Sequence, residues 1–196
     1  MSRSNQRKAY GNALVELGRQ NPNVVVLDAD LSKSTQGCMF EEVFPKRYFD
    51  LGIKEQDMMS TAAGLACAGK IAFANSFAVF ATGRSFDQIR QTISIGKLNV
   101  KICGSSAGLS DFGDGSTHQS VEDMAIMNTI PNMTVLTPVD ANETAAVAMA
   151  LRKSTVPMDH VAIEDVFGQS AKNAEELMDL YGLTAENIVK KLKALL

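Results

Sequence analysis

Glu55 stands in Phe49-Asp50-Leu51-Gly52-Ile53-Lys54-Glu55-Gln56-Asp57, where an extended run gives way to a helical one. A carboxyl buried at such a switch holds its proton more tightly and can share or donate it near neutral pH. Phe77 and Phe80, three residues apart after another extended run, share a helical face and can stack on a planar ring. His118, one of two histidines, lies in Gly113-Asp114-Gly115-Ser116-Thr117-His118-Gln119, a glycine-rich loop rather than an apolar face, which favours a functional role. Plainer readings exist for each alone. An acid before a helix commonly complements the helix dipole, and paired phenylalanines commonly belong to a core. Together, at the ends of successive extended runs, the three favour a site. His160, ahead of an apolar run, reads as structural, and Lys54 and Asp57 as solvated or interface charges.

The elements that must position these residues follow from hydrophobic patterning. Short continuous apolar runs occur at 24–27, 71–74, 100–103, 133–136 and 160–163, with a weaker one at 48–50. Continuous rather than alternating runs indicate strands buried on both faces, hence a parallel sheet. Helical stretches lie between them, at 56–68, 78–95, 120–128 and 142–153, with a first helix from Tyr10 past Leu17 that ends before Asn21-Pro22. Ser120-Val121-Glu122-Asp123 and Asp140-Ala141-Asn142-Glu143 each place an acid three residues after a capping side chain. The pattern predicts an α/β fold, a parallel six-stranded sheet with helices on both faces and right-handed crossovers. Ligands of such sheets sit at the carboxyl ends of the strands. The segments 28–35, 51–55, 75–80 and 104–118 all follow strand ends and should converge on one rim.

Composition excludes several classes. The net charge of −3 supplies no basic field for nucleic acid and no polybasic membrane patch. Cys38, Cys67 and Cys103 are odd in number and lack CxxC spacing, so neither a disulfide framework nor a zinc site is expected. The first ten residues lack the apolar core of a secretory signal. Lys70, Asn75 and many small residues break the apolar stretch 58–83 into two soluble elements, so a cytoplasmic protein is expected.

Four motifs in order carry a resemblance. Leu51-Gly52-Ile53-Lys54-Glu55-Gln56, Asn75-Ser76-Phe77-Ala78-Val79-Phe80, Asp114-Gly115-Ser116-Thr117-His118-Gln119 and Leu136-Thr137-Pro138-Val139-Asp140-Ala141-Asn142-Glu143 resemble the pyrimidine-binding domain of transketolases. Deoxyxylulose-phosphate synthases are the next most similar family. The resemblance implies thiamine diphosphate as cofactor, whose own 4′-amino group removes the C2 proton once a carboxyl is bonded to N1′. It implies that Glu55 is that carboxyl, that Phe80 stacks on the pyrimidine with Phe77 beside it, and that Asp30 and Leu31 face the thiazolium across a subunit boundary. It further implies that His118 and Asp114 contact the sugar, and that Ser34 lies near an acceptor's phosphate. Gly83 falls where transketolases often carry a tyrosine, and Arg84 beside it is implied to fill part of that pocket wall.

The metal and pyrophosphate motif of such enzymes is not expected here. Gly113-Asp114-Gly115 mimics its start, but a polar loop separates it from the preceding strand. Mg²⁺ or Ca²⁺ and the pyrophosphate are therefore expected on a separate pyrophosphate-binding subunit, in an α₂β₂ assembly acting on sugars or sugar phosphates. Residues 1–158 are expected to form the pyrimidine-binding domain. The tail, 159–196, resembles the last strand and helices of the family's C-terminal domain, with most of that domain missing and the join near 155–160. The expected reaction is transfer of a two-carbon ketol unit between sugars. The alternatives are a non-catalytic regulatory subunit derived from such an enzyme, or acyl transfer as in the deoxyxylulose-phosphate synthases. An oxidoreductase on a similar sheet would need a Gly-x-Gly-x-x-Gly after 24–27, which is not there.

Overall fold

The structure, a computed structural model, describes residues 5–151 and Glu176. Four of the expected runs form strands: β1 (Val24–Asp28), β2 (Tyr48–Asp50), β3 (Ile71–Phe77) and β4 (Val100–Ser105). They make one parallel sheet in the order β2-β1-β3-β4. Every residue of β1 and β3 is buried, which is why these runs are apolar without alternation.

The alternation lies in which face each residue serves. Val25, Leu27, Ala72 and Ala74 meet Met58, Met59, Ala62 and Ala63 of α4 (Glu55–Cys67), with Ala81, Ile89 and Ile93 behind them. Val24, Val26, Ile71 and Phe73 meet the opposite core. There they pack on Tyr10, Leu14 and Leu17 of α1 (Gln6–Gln20), Phe40 of α3 (Cys38–Val43) and Ala148 of α7 (Ala141–Ala150). Between β1 and α3 lies a single turn, α2 (Ser32–Thr35). The helix α1 reaches α3 through two glycines: a Cβ on Gly11 would lie 2.6 Å from Met39 Sδ, and one on Gly18 2.5 Å from the Phe44 ring.

Arg47 fastens this side. Its guanidinium donates to Gly18 O, Asn21 O and Val24 O at 2.8, 3.0 and 3.3 Å and lies 4.0 Å from the Phe44 ring centroid. Gly18 O, whose helical donor would be the N–H that Pro22 lacks, is thus satisfied by a side chain.

Three expectations are corrected. The sheet has four strands among the described residues, not six. Residues 133–136 join no ladder; Met133 and Val135, two apart, pack against the core beneath α4, so their apolar character serves burial rather than pairing. The run 160–163 and the tail, Glu176 apart, lie outside the described residues. The helix expected at 78–95 is broken into π-helical turns at Phe80–Arg84 and Ile89–Ser94 around one α-helical turn, α5 (Phe86–Gln88). Thr82, Ser85 and Thr92 each donate a hydroxyl to the carbonyl four residues back, which loosens the regular ladder. Finally, Ser120 does not cap α6 (Asp123–Asn128): its hydroxyl donates to the Asp123 carboxylate, and Glu122 holds the cap position. At α7 the expectation holds, with Asp140 Oδ1 accepting from Glu143 N at 2.8 Å and Glu143 accepting from Val139 N at 2.7 Å.

Candidate active site

The carboxyl ends of the four strands open onto one rim, and the loops after β1 and β2 are each fixed by an aspartate. After β1, Asp28 is wholly buried; its Oδ1 accepts from Leu31 N at 2.7 Å and its Oδ2 from Thr35 Oγ1 at 2.6 Å. Burial pushes the Asp28 carboxyl up to about 6, against the hydrogen bonds from Thr35 and Leu31. These bonds shape the turn in which Asp30 adopts φ +62°. After β2, one oxygen of Asp50 accepts from Asp30 N at 3.0 Å and from Gly52 N at 2.9 Å, so it ties the first loop to the second. Gly52, at φ +70°, supplies the left-handed step that turns the chain into α4.

Glu55 is the first residue of α4 and is 1% exposed. A carboxylate at a helix N-terminus faces unpaired amides and the positive end of the helix dipole. Its Oε1 accepts from Ser76 Oγ at 3.1 Å, and its Oε2 pairs with the Arg84 guanidinium at 2.7 Å. The Arg84 guanidinium carbon also lies 4.3 Å from the Phe80 ring centroid. Phe80 is stacked with Phe77, centroids 6.3 Å apart and planes 24° from parallel. The His118 ring meets both edge-on, at 5.1 Å from Phe80 and 6.2 Å from Phe77. Glu55, Arg84, Phe80, Phe77 and His118 thus form one unbroken chain of contacts, from residues up to 63 positions apart in sequence.

His118 arrives on the loop after β4. Thr117 Oγ1 lies 2.9 Å from His118 Nδ1, which leaves Nε2 as the nitrogen for a ligand. Gly115 takes φ +73° at the start of the short 3₁₀ turn, and Asp114 precedes that turn without a capping bond from its side chain. Asp111, three residues earlier, has a buried Oδ2 without a hydrogen-bond partner. Burial and the neighbouring Asp114 carboxyl push Asp111 up, while His118 pulls it down.

Of the residues singled out in the sequence, the contact chain gathers Glu55, Phe77, Phe80, Arg84 and His118. Asp114 stands on the same loop as His118. Asp30 and Leu31 lie in the turn after β1 and Ser34 in α2; Asp30 is tied through Asp50 to the segment before Glu55, and none of the three takes part in that contact chain. Ser76 and Asp111 were not foreseen. A serine inside a run otherwise built for burial was the signal for Ser76; Asp111 gave none beyond its place in the loop.

The rim therefore offers a buried carboxyl at Glu55 and an aromatic face at Phe80, linked through Arg84. Pyrophosphate with a divalent cation needs gathered acids, and among the described residues no group of three or more His, Cys, Asp or Glu is placed to hold a metal ion. No described helix is long and apolar enough to cross a membrane.

Comparison with known proteins bears on the same rim. Residues 3–158 match the family described as the pyrimidine-binding domain of transketolase. A putative transketolase C-terminal section from Methanocaldococcus jannaschii is 49% identical over 152 residues, 78% of this chain and 48% of that protein. A 6-deoxy-6-sulfo-D-fructose transketolase subunit from a Clostridium species is 41% identical over 140 residues, 71% of this chain and 44% of that protein. A solved structure described as a split gene transketolase, inactive beta4 tetramer, superposes with a TM-score of 0.67 at 51% identity and covers 78% of this chain and 49% of that one. The chain therefore spans about half the length of the curated relatives it matches.

Proposed function

This chain belongs to the family of transketolase pyrimidine-binding domains, and on that premise we propose that it is the C-terminal subunit of a split, thiamine-diphosphate-dependent transketolase. The observation that carries the proposal is the buried Glu55 carboxyl at the head of α4, joined through Arg84 to the Phe80 ring. Bound thiamine diphosphate would supply the carbon nucleophile and electron sink that break and remake a carbon–carbon bond next to a carbonyl.

The chain's own residues would do the rest. Glu55 holds N1′ of the aminopyrimidine and shares a proton with it, with Ser76 fixing the carboxyl's orientation. Phe80 gives the ring its stacking face and Phe77 braces Phe80. His118, steadied through Nδ1 by Thr117, presents Nε2 to sugar oxygens and exchanges a proton there, and Asp114 accepts from a sugar hydroxyl. Asp30 and Leu31 face the thiazolium side across a subunit boundary, and Ser34 meets an acceptor's phosphate. Arg84 lines the pyrimidine pocket.

The pyrophosphate and its Mg²⁺ or Ca²⁺ fall to a separate subunit, in an α₂β₂ assembly in the cytoplasm that transfers two-carbon ketol units between sugars. Residues 1–158 make the pyrimidine-binding domain, and 159–196 are kept from the family's C-terminal domain. The solved relative is described as an inactive β4 tetramer; carried to this chain, that means self-association without turnover until the partner joins.

Native mass spectrometry of the chain drawn from its own cell extract with thiamine diphosphate and Mg²⁺ identifies the partner. With the reconstituted pair, Glu55→Gln keeps the shape but loses the proton, and turnover should fall at least ~10²-fold. Turnover within a few-fold of the parent would end the assignment of Glu55 and make the chain a binding subunit.

A further inference from the structure

Both oxygens of Glu55 are already engaged. Ser76 holds Oε1 and Arg84 holds Oε2. Arg84 does more than neutralise the acid, because its guanidinium also lies over the Phe80 ring. A guanidinium is planar, with N–H donors around its edge and two flat faces. Those are the features by which an aminopyrimidine would use this pocket, an in-plane hydrogen bond to Glu55 and a face on Phe80. The side chain and the ring ask for the same acceptor and the same aromatic surface.

We propose that Arg84 stands in for the aminopyrimidine of thiamine diphosphate: it holds Glu55 and covers Phe80, and it must swing out for the cofactor to dock. The inference rests on the functional reading above and adds a gate to that site.

Three observations say that Arg84 moves and Ser76 stays. Ser76 is fully buried within β3, whose seven residues are all buried, whereas the Arg84 side chain is 42% exposed against 1% for Glu55. Gly83 precedes Arg84, and a Cβ built on it would meet nothing within 4 Å, so no neighbouring group is packed against the turn at that position. The segment Phe80–Arg84 is a π-helical turn, a wider and less regular geometry than the α-helix. A buried carboxylate without a partner is costly. Arg84 partners Glu55 until a ligand takes its place, so the pocket is preformed around a paired acid.

The test uses the isolated chain and a probe that needs no pyrophosphate site, 4-amino-5-hydroxymethyl-2-methylpyrimidine. Binding is followed by NMR through the Arg84 Nε–H and Glu55 carboxyl signals, with melting temperatures alongside. In the parent chain the probe should displace Arg84, moving both signals together. Arg84→Ala should bind the probe about tenfold more tightly, since a competitor that occupies the site nine-tenths of the time weakens apparent affinity by that factor. Its unliganded form should melt lower and recover with the probe. Arg84→Lys keeps the charge but offers no flat face; its affinity should fall between the two, and it serves as the test if Arg84→Ala does not fold. Equal or weaker binding by both variants, with an unmoved Arg84 signal in the saturated parent, would overturn the gate and leave the pyrimidine site standing. Failure of parent and variants to bind the probe, together with failure of the partner-reconstituted chain to bind thiamine diphosphate and Mg²⁺, would overturn the functional reading and the gate with it.

Discussion

Asp28 is the buried acid whose charge the fold tolerates least. Burial raises it from an ordinary 3.8 to about 6, although Leu31 N and Thr35 Oγ1 both donate to it. Between those two values the native chain binds more protons than the unfolded one. The stability contribution is therefore complete below pH 4 and is lost as pH rises through 6, on the order of 3 kcal/mol for a shift of about two units. Asp28→Asn cannot ionise, so its urea-unfolding free energy should be flatter than the parent's between pH 4 and 6. Parallel profiles would refute this. At this scale the sequence exposes Glu55, Phe77, Phe80 and His118, because each stands at or beyond a strand end in a context of small residues. It does not expose what Arg84 does. A contact between residues 29 positions apart exists only once β3 and the head of α4 are side by side. The bond from Ser76 to Glu55 is hidden for the same reason, although a serine within a buried run marks the position.

Elements were legible where a run must be buried on both faces, and less so elsewhere. The runs 24–27 and 71–74 lie inside the central strands, and no surface location would suit them. The run 133–136 is also mostly apolar, but that does not say whether a neighbouring ladder has room, and here two of its residues pack against the core instead. The break-up of 78–95 depends on hydroxyls returning to carbonyls, which apolar periodicity does not register. Arg47 belongs to this scale because it joins α1, β1 and the segment before β2. Arg47→Ala should cost about 2 kcal/mol, from lost carbonyl bonds and a lost cation–π contact, read as a lower urea midpoint with unchanged slope. Arg47→Lys should recover only part, since an ammonium cannot fork to three carbonyls and lie flat on Phe44. Full recovery by lysine would show that charge alone sufficed.

At the scale of the described residues together, one sheet separates two cores, and β1 and β3 contribute alternate residues to each. Neither core can open without exposing strands that the other needs, so unfolding should be a single transition in both near- and far-UV circular dichroism. Met59→Ala on one side and Leu14→Ala on the other, both wholly buried, should each cost about 2–5 kcal/mol. Combined, they should add to within ~0.5 kcal/mol, because they share no partner. Two separate transitions in either variant would show that the faces fold independently. The rim above the cores behaves differently. Asp50 receives an amide from the loop after β1 and another from the turn that leads into α4, both on one oxygen. Those two loops are therefore a single mechanical part. A pull on Asp30 from a neighbouring subunit would arrive at the head of α4, where Glu55 sits, without any side chain of either core having to repack.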